Sequence, residues 1–224
     1  MQDIPELIER FDFVQGFGLV LWLTLWSAFW ALLLGTMLAI MRLVPITTLN
    51  VVGAFLVNAL RNTPLTLIIL SSNVILWVQL GLELGPDSVT NNIRLAILSL
   101  SVYHAAFVCE ALRSGVNTIP LGQAEAARSI GLTFSQSLRH VILPQAFRGA
   151  ITPLGNVLIA LTKNTTVAVV IGVSVVSLSM RRAIEFRPDV LFPIFLIVAV
   201  GFVLITLPMG MLTSWASQKY AVRR

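Results

Sequence analysis

Two cations stand where so apolar a chain has little room for them. Arg61 lies in NALRNTPL and Lys163 in LTKNTTVAVVIGV. A charge at a bilayer centre costs on the order of 2.5–3.5 kcal/mol on insertion scales, so such groups face a bundle interior or a wet cavity and have partners. Around them Asn62, Thr63, Asn156, Asn164, Thr165 and Thr166 supply neutral hydrogen-bonding groups. Together these residues could hold the carboxylates of a small anionic molecule. The one deep acid, Glu110, is either a further ligand contact or the internal partner of Arg61 or Lys163. It also stands three residues from Arg113, close enough to pair along a helix. Thr165 and Thr166 have a second use as well, bonding back to their own helix.

This is chemistry of binding, not of bond making. No glycine-rich loop ending in Lys-Ser or Lys-Thr is present, so nucleotide binding by that motif is excluded. His104 and His140 occupy different settings with no acidic cluster, and the single Cys109 rules out an internal disulfide or a thiolate metal site. The chain is expected to be no enzyme and to bind no metal or cofactor itself.

The elements that place these residues are membrane spans. Of 224 residues, 57% are hydrophobic and 11% charged, far from the balance of a soluble domain. A helical span takes about 20 apolar residues to cross roughly 30 Å. Five are predicted, at about 13–41, 51–78, 93–112, 149–176 and 190–216, in one transmembrane domain covering 1–224. Trp22, Trp26 and Trp30 share one face of the first and suit lipid or packing. Trp77 and Trp215 sit at span ends, where interfacial aromatics collect. Pro193 and Pro208 read as kinks in the fifth. The second span is interrupted. Thr63-Pro64 reads as an N-cap and first helical residue. A helix from 64 to 78 would be only about 22 Å long, so the run 51–60 must contribute. Pro64 cannot donate to the carbonyl of Leu60, and a break at that depth is tolerated only inside protein or beside a wet cavity.

Five spans put the termini on opposite sides. With the C-terminus cytoplasmic, the inside segments carry Arg42, Arg113, Arg128, Arg139, Arg148, Lys219, Arg223 and Arg224. The outside segments carry only Arg10, Arg94, Arg181, Arg182 and Arg187. That asymmetry sets the N-terminus outside. It also accounts for the net charge of +5 without nucleic acid.

The long inside loop, 113–148, is the polar exception. Pro120 opens a short helix, Gly131 stops it in the left-handed region, and Thr133 with Gln136 forms a capping box for a second helix. Leu143-Pro144 is expected to end that element. The alanines around Glu125 make a thin helix that fits a groove on another protein; an amphipathic helix on the inner leaflet is the other reading.

The spacing of Glu125-Ala126-Ala127, Gly131 and Val141-Ile142-Leu143-Pro144 resembles the EAA loop of ATP-binding-cassette importer permeases, with Val141 in place of the usual Ile. RNTPL (61–65), EALRSG (110–115), GQAEAAR (122–128), LPQAFR (143–148) and LTKNTTVAVVIGV (161–173) are similar to the polar amino acid permease subfamily. They are most like permeases of actinobacterial glutamate uptake systems. Asn164 stands where the subfamily commonly carries Asp, which suits an anionic substrate. The resemblance implies an all-α, polytopic, type I ABC importer permease fold in a bacterial cell membrane. It implies that Gly122, Glu125, Ala126, Ala127, Arg128, Gly131, Leu143 and Pro144 couple the chain to a partner ATPase, which binds the ATP and Mg. It further implies a second permease chain, two ATP-binding subunits and an extracytoplasmic amino-acid-binding protein. Two other classes are open from the residues alone. An oligomeric channel or ion-coupled transporter needs no ATPase socket, and a membrane adaptor leaves Arg61 and Lys163 without a task.

Overall fold

The computed structural model describes residues 4–220, all of whose regular elements are helical. Arg223 and Arg224, counted above for topology, lie outside the described residues. A short helix α1 (Ile4–Arg10) precedes α2 (Phe13–Leu43), which is apolar over most of its length, as a span must be. After α3 (Thr47–Arg61) and α4 (Leu65–Ser71), the chain continues as a π-helical turn over Ser72–Gln79. Next come α5 (Ser88–Asn117), α6 (Leu121–Ser129), α7 (Phe134–Ser137) and a π turn Leu138–Ile142. The π turn leads directly into α8 (Leu143–Asn164), which tightens to a 3-10 helix over Thr165–Ile171. The last elements are α9 (Val176–Phe186), a single 3-10 turn at Pro188–Val190, and α10 (Leu191–Tyr220).

The contacts fix the direction of each span. Arg42, at the end of α2, reaches Glu110 near the end of α5, so α2 and α5 run the same way. Helix α8 runs against α5: the Gly115 end meets Ala146, the middle joins His104 to Asn164, and Asn92 near the start of α5 bonds the Ile171 carbonyl. Gly115 belongs to that crossing because a Cβ there would lie 2.2 Å from the Ala146 carbonyl. Helix α10 runs against α8, with Thr213 at Gly155 and Ser217 bonded to Thr152. A core of Val20, Leu23, Leu95, Leu100, Leu161 and Val175 fills one half of the bundle, and Ala31, Ala39, Val57, Ala106 and Cys109 the half toward Arg42 and Glu110. Small residues there let the helices approach closely. Only Ile194 of α10 is buried, so its remaining face is left for lipid or another chain.

The second span departs from expectation. Helix α3 and the α4 segment meet at 99°, a corner and not a kink. They still cross together, since Gly53 packs on Arg42 at one end and Asn73 bonds Asn92 at the other. Thr63 is not the N-cap. Its hydroxyl donates to the Ala59 carbonyl at 2.8 Å, and Pro64 takes the cap position, its carbonyl accepting from Leu67 and Ile68. The Leu60 carbonyl that proline would strand accepts from the Thr63 amide.

Leu143-Pro144 also reverses its expected part. It starts α8 instead of ending the helix before it: the Leu143 amide closes the π turn on the Leu138 carbonyl, and Pro144 stands in the first turn of α8, where proline is tolerated. The helix that carries the fourth span is already formed at Leu143, ahead of the expected crossing at about 149. It ends at Ile171, and Val176 opens a separate helix. Outside the spans, Asp87 caps α5. The amide and hydroxyl of Thr90 both donate to its carboxylate and hold its pKa below the usual range.

Candidate functional site

A cleft of about 320 Å³ opens between the middles of α5 and α8, lined by Tyr103, His104, Phe107, Asn156, Val157, Ala160 and Asn164. Helical spacing makes it. Residues 156, 160 and 164 form one stripe on α8, and 103, 104 and 107 one patch on α5. The three rings of α5 touch, with Tyr103 5.0 Å from Phe107 and 5.1 Å from His104. His104 is 1% exposed. Its Nδ1–H donates to the Leu100 carbonyl at 2.9 Å, and its Nε2 faces the Asn164 amide nitrogen at 3.2 Å. Asn156 is exposed on a span helix, a position that lipid would penalise and a wet pathway would not.

Arg61 stands at the rim of this cleft, its guanidinium carbon 5.7 Å from the Phe107 ring centre. One turn further along α5 is Glu110, which bonds Arg42 closely and lies 3.3 Å from Arg113 and 4.0 Å from Arg61. Three cations thus share one carboxylate, which leaves the cluster positive. The Arg61 contact is the longest of the three and its side chain the most exposed, 43% against 12% for Arg42. Arg61 is therefore the cation most available to another anion.

Lys163 is exposed and has no ion pair among the described residues. It follows Asn156 by seven residues, two turns or about 10 Å along the same side of α8. Asn156, Asn164 and, at the rim, Arg61 are thus brought together, while Glu110 joins the arginine cluster beside them. The other polar candidates are occupied or turned away. Asn62 is exposed at the end of α3, Thr63 is bonded to Ala59, Thr165 is buried against the Thr162 carbonyl, and the Thr166 hydroxyl donates to the Lys163 carbonyl.

Sequence reasoning passed over Tyr103, His104, Phe107 and Arg42. Arg42 was counted only for topology. His104 has no acidic neighbour in sequence to mark it, although its place next to Tyr103 and one turn before Phe107 is readable. A larger groove of about 800 Å³, walled by Trp22, Trp26, Trp30, Ile97 and Leu98, is apolar and lies on the surface where lipid or packing was expected.

On the side of Arg42 and Arg113, helix α6 ends in a Schellman motif. The Leu132 amide bonds the Ala127 carbonyl, the Gly131 amide bonds the Arg128 carbonyl, and Gly131 has φ +84°. The expected capping box follows, with Thr133 and Gln136 bonded reciprocally. Ala127 is buried; Gly122, Glu125, Ala126 and Arg128 are exposed, as is Pro144 at the start of α8, with Leu143 half-buried beside it. Ile130 is 78% exposed.

Five crossings, a polar seam between two of them and a capped helix pair at one end define a membrane transport permease. The chain belongs to the family of binding-protein-dependent transport system inner membrane components, whose pattern it matches over residues 12–222. Its relatives include the glutamate transport system permease proteins GluC of Corynebacterium efficiens and Corynebacterium glutamicum. They are 51% and 49% identical over 213 residues, 93% of each chain. The probable glutamine ABC transporter permease protein GlnM of Bacillus subtilis is 30% identical over the same shares. Among solved structures, an amino acid ABC transporter with histidines superposes with a TM-score of 0.83 at 25% identity, covering 98% of this chain and 99% of the other. The inward-facing MetNI methionine ABC transporter shares the fold, with a TM-score of 0.72 over 94% of this chain and 96% of its own. The all-α type I importer permease fold expected from the sequence is thereby established.

Proposed function

We propose that this permease carries glutamate inward in an ATP-driven importer. The observation that carries the substrate is the 51% identity to a glutamate permease across almost the whole chain. The cleft supports it. Arg61 is only loosely engaged by Glu110, Lys163 follows Asn156 along the same side of α8, and the cleft lining holds no carboxylate. Arg61 and Lys163 are placed to receive carboxylates, with Asn156 and Asn164 as neutral contacts. Asn62, Thr63, Thr165, Thr166 and Glu110 are assigned to shaping this path.

Gly122, Glu125, Ala126, Ala127, Arg128 and Gly131, with Leu143 and Pro144 at the start of α8, form the seat for a cytoplasmic ATPase that holds the ATP and Mg. Exposed Ile130, at the end of the helix that carries exposed Glu125, supports this, since an apolar side chain outside the span gains by being covered. Residues 113–148 then act as the coupling loop within a single transmembrane domain. The N-terminus lies outside and the C-terminus in the cytoplasm, as the eight-to-five distribution of cations favours. The exposed polar side of α8 calls for a second permease chain across the pathway. Two ATPase subunits and an external binding protein complete the assembly. The membrane chain performs no covalent chemistry. Closure of the ATPases on nucleotide draws the two α6 helices together and turns the cleft outward; release turns it inward.

The test is competition in proteoliposomes holding the whole importer. ATP-dependent uptake of labelled glutamate should be blocked by excess unlabelled glutamate and spared by excess arginine. Uptake of arginine or glutamine in preference to glutamate would refute the substrate assignment.

A further inference from the structure

The His104–Asn164 contact has a direction. A carbonyl oxygen only accepts, so the 2.9 Å contact between Nδ1 and the Leu100 carbonyl puts a proton on Nδ1. The ring is almost wholly buried, and among the described residues no carboxylate touches it. A buried imidazole without an acidic partner is neutral. Its Nε2 is therefore a bare acceptor, and it takes an N–H from the Asn164 amide at 3.2 Å. With Nδ2 held there, Oδ1 of Asn164 is the end left for the cleft. The cleft that Asn164 lines is also lined by the Tyr103 and Phe107 rings and by Asn156. A fixed carbonyl dipole among aromatic faces suits an ammonium group, which takes hydrogen bonds to oxygen and is drawn to ring faces. Arg61, over Phe107 at the rim, suits the carboxylate of the same molecule.

We propose that His104 is a positioning residue that locks the Asn164 amide with its oxygen toward the cleft, making this an α-ammonium subsite for a zwitterionic amino acid. The proposal rests on the cleft being the substrate path and names the group it reads. Without the imidazole, the Asn164 amide can turn over and present N–H groups, which repel an ammonium. An aspartate at 164 offers oxygen in either orientation and does not need the histidine.

The experiment measures binding of labelled glutamate, and its displacement by glutarate, which lacks the ammonium, to the solubilised permease–ATPase complex without binding protein. The wild type should favour glutamate over glutarate by about tenfold or more, the scale of one charge-assisted hydrogen bond. His104→Leu should abolish that preference, and His104→Gln, whose amide oxygen can accept from Asn164, should restore much of it. The pair His104→Leu with Asn164→Asp should also restore it, which a merely structural role for His104 would not bring about. Equal affinity of the wild type for both molecules, or an unchanged preference in assembled His104→Leu, would overturn the proposal. Intact ATP-driven glutamate uptake in either case would leave the transport reading standing. Absence of both binding and uptake would remove that reading as well.

Discussion

At the scale of single residues, the molecule separates cations that hold it together from cations free to act. Arg42 and Arg113 are tied to Glu110, and Arg61 is tied least. Glu110→Gln leaves three guanidiniums without a counter-charge in a partly buried setting. We expect it to lower the stability of the purified complex by about 1–3 kcal/mol, since removing one member of a partly buried pair strands the others. Thermal unfolding in detergent would measure it. Arg61→Ala should leave assembly unchanged and reduce substrate-stimulated ATPase activity, as should Lys163→Ala; normal stimulation in both would sink their role as carboxylate contacts. Arg61, Lys163 and Glu110 were legible in the sequence because charges within apolar runs are conspicuous. Arg42 was not, because a cation at a span end is ordinarily a topology signal. His104 was not, because its meaning lies in a partner 60 residues away.

At the scale of elements, the capping box and the glycine stop of α6 were readable because they depend on neighbours within a few residues. The 99° corner between α3 and α4 was only half readable. Proline marks the break, but the angle is set by packing of α3 on α2 and α5, and of α4 on α5 and the 3-10 helix Thr165–Ile171. The same limit misplaced Leu143-Pro144, where a π turn lets proline open a helix. Two substitutions test these elements. Gly115→Val forces a side chain against the Ala146 carbonyl and Ala150; it should part α5 from α8 and cost at least about 1–3 kcal/mol, seen as reduced assembled complex. Gly131→Val strains the positive φ that turns α6 into α7. It should weaken ATPase association while the spans still fold, and co-purification of the subunits would show it.

At the scale of the whole molecule, the cleft between α5 and α8 is walled on one side only. The polar side of α8 stays open until another chain covers it, so the functional unit is larger than this polypeptide. Family membership and the span pattern were both legible, since each repeats over the length of the chain. The proposed pathway's far wall was not, because under that proposal a second chain supplies it. The central claim is ATP-powered glutamate transport through this chain. Its most direct test is ATP-dependent glutamate uptake into vesicles from cells making this chain with its permease and ATPase partners, with and without Glu125→Lys. Uptake is expected in the wild type and should be lost in the variant while the membrane subunits still assemble. Glutamate entry that persists without ATP, or at full rate in Glu125→Lys, would contradict the coupling; no glutamate entry in the assembled wild type would contradict the substrate.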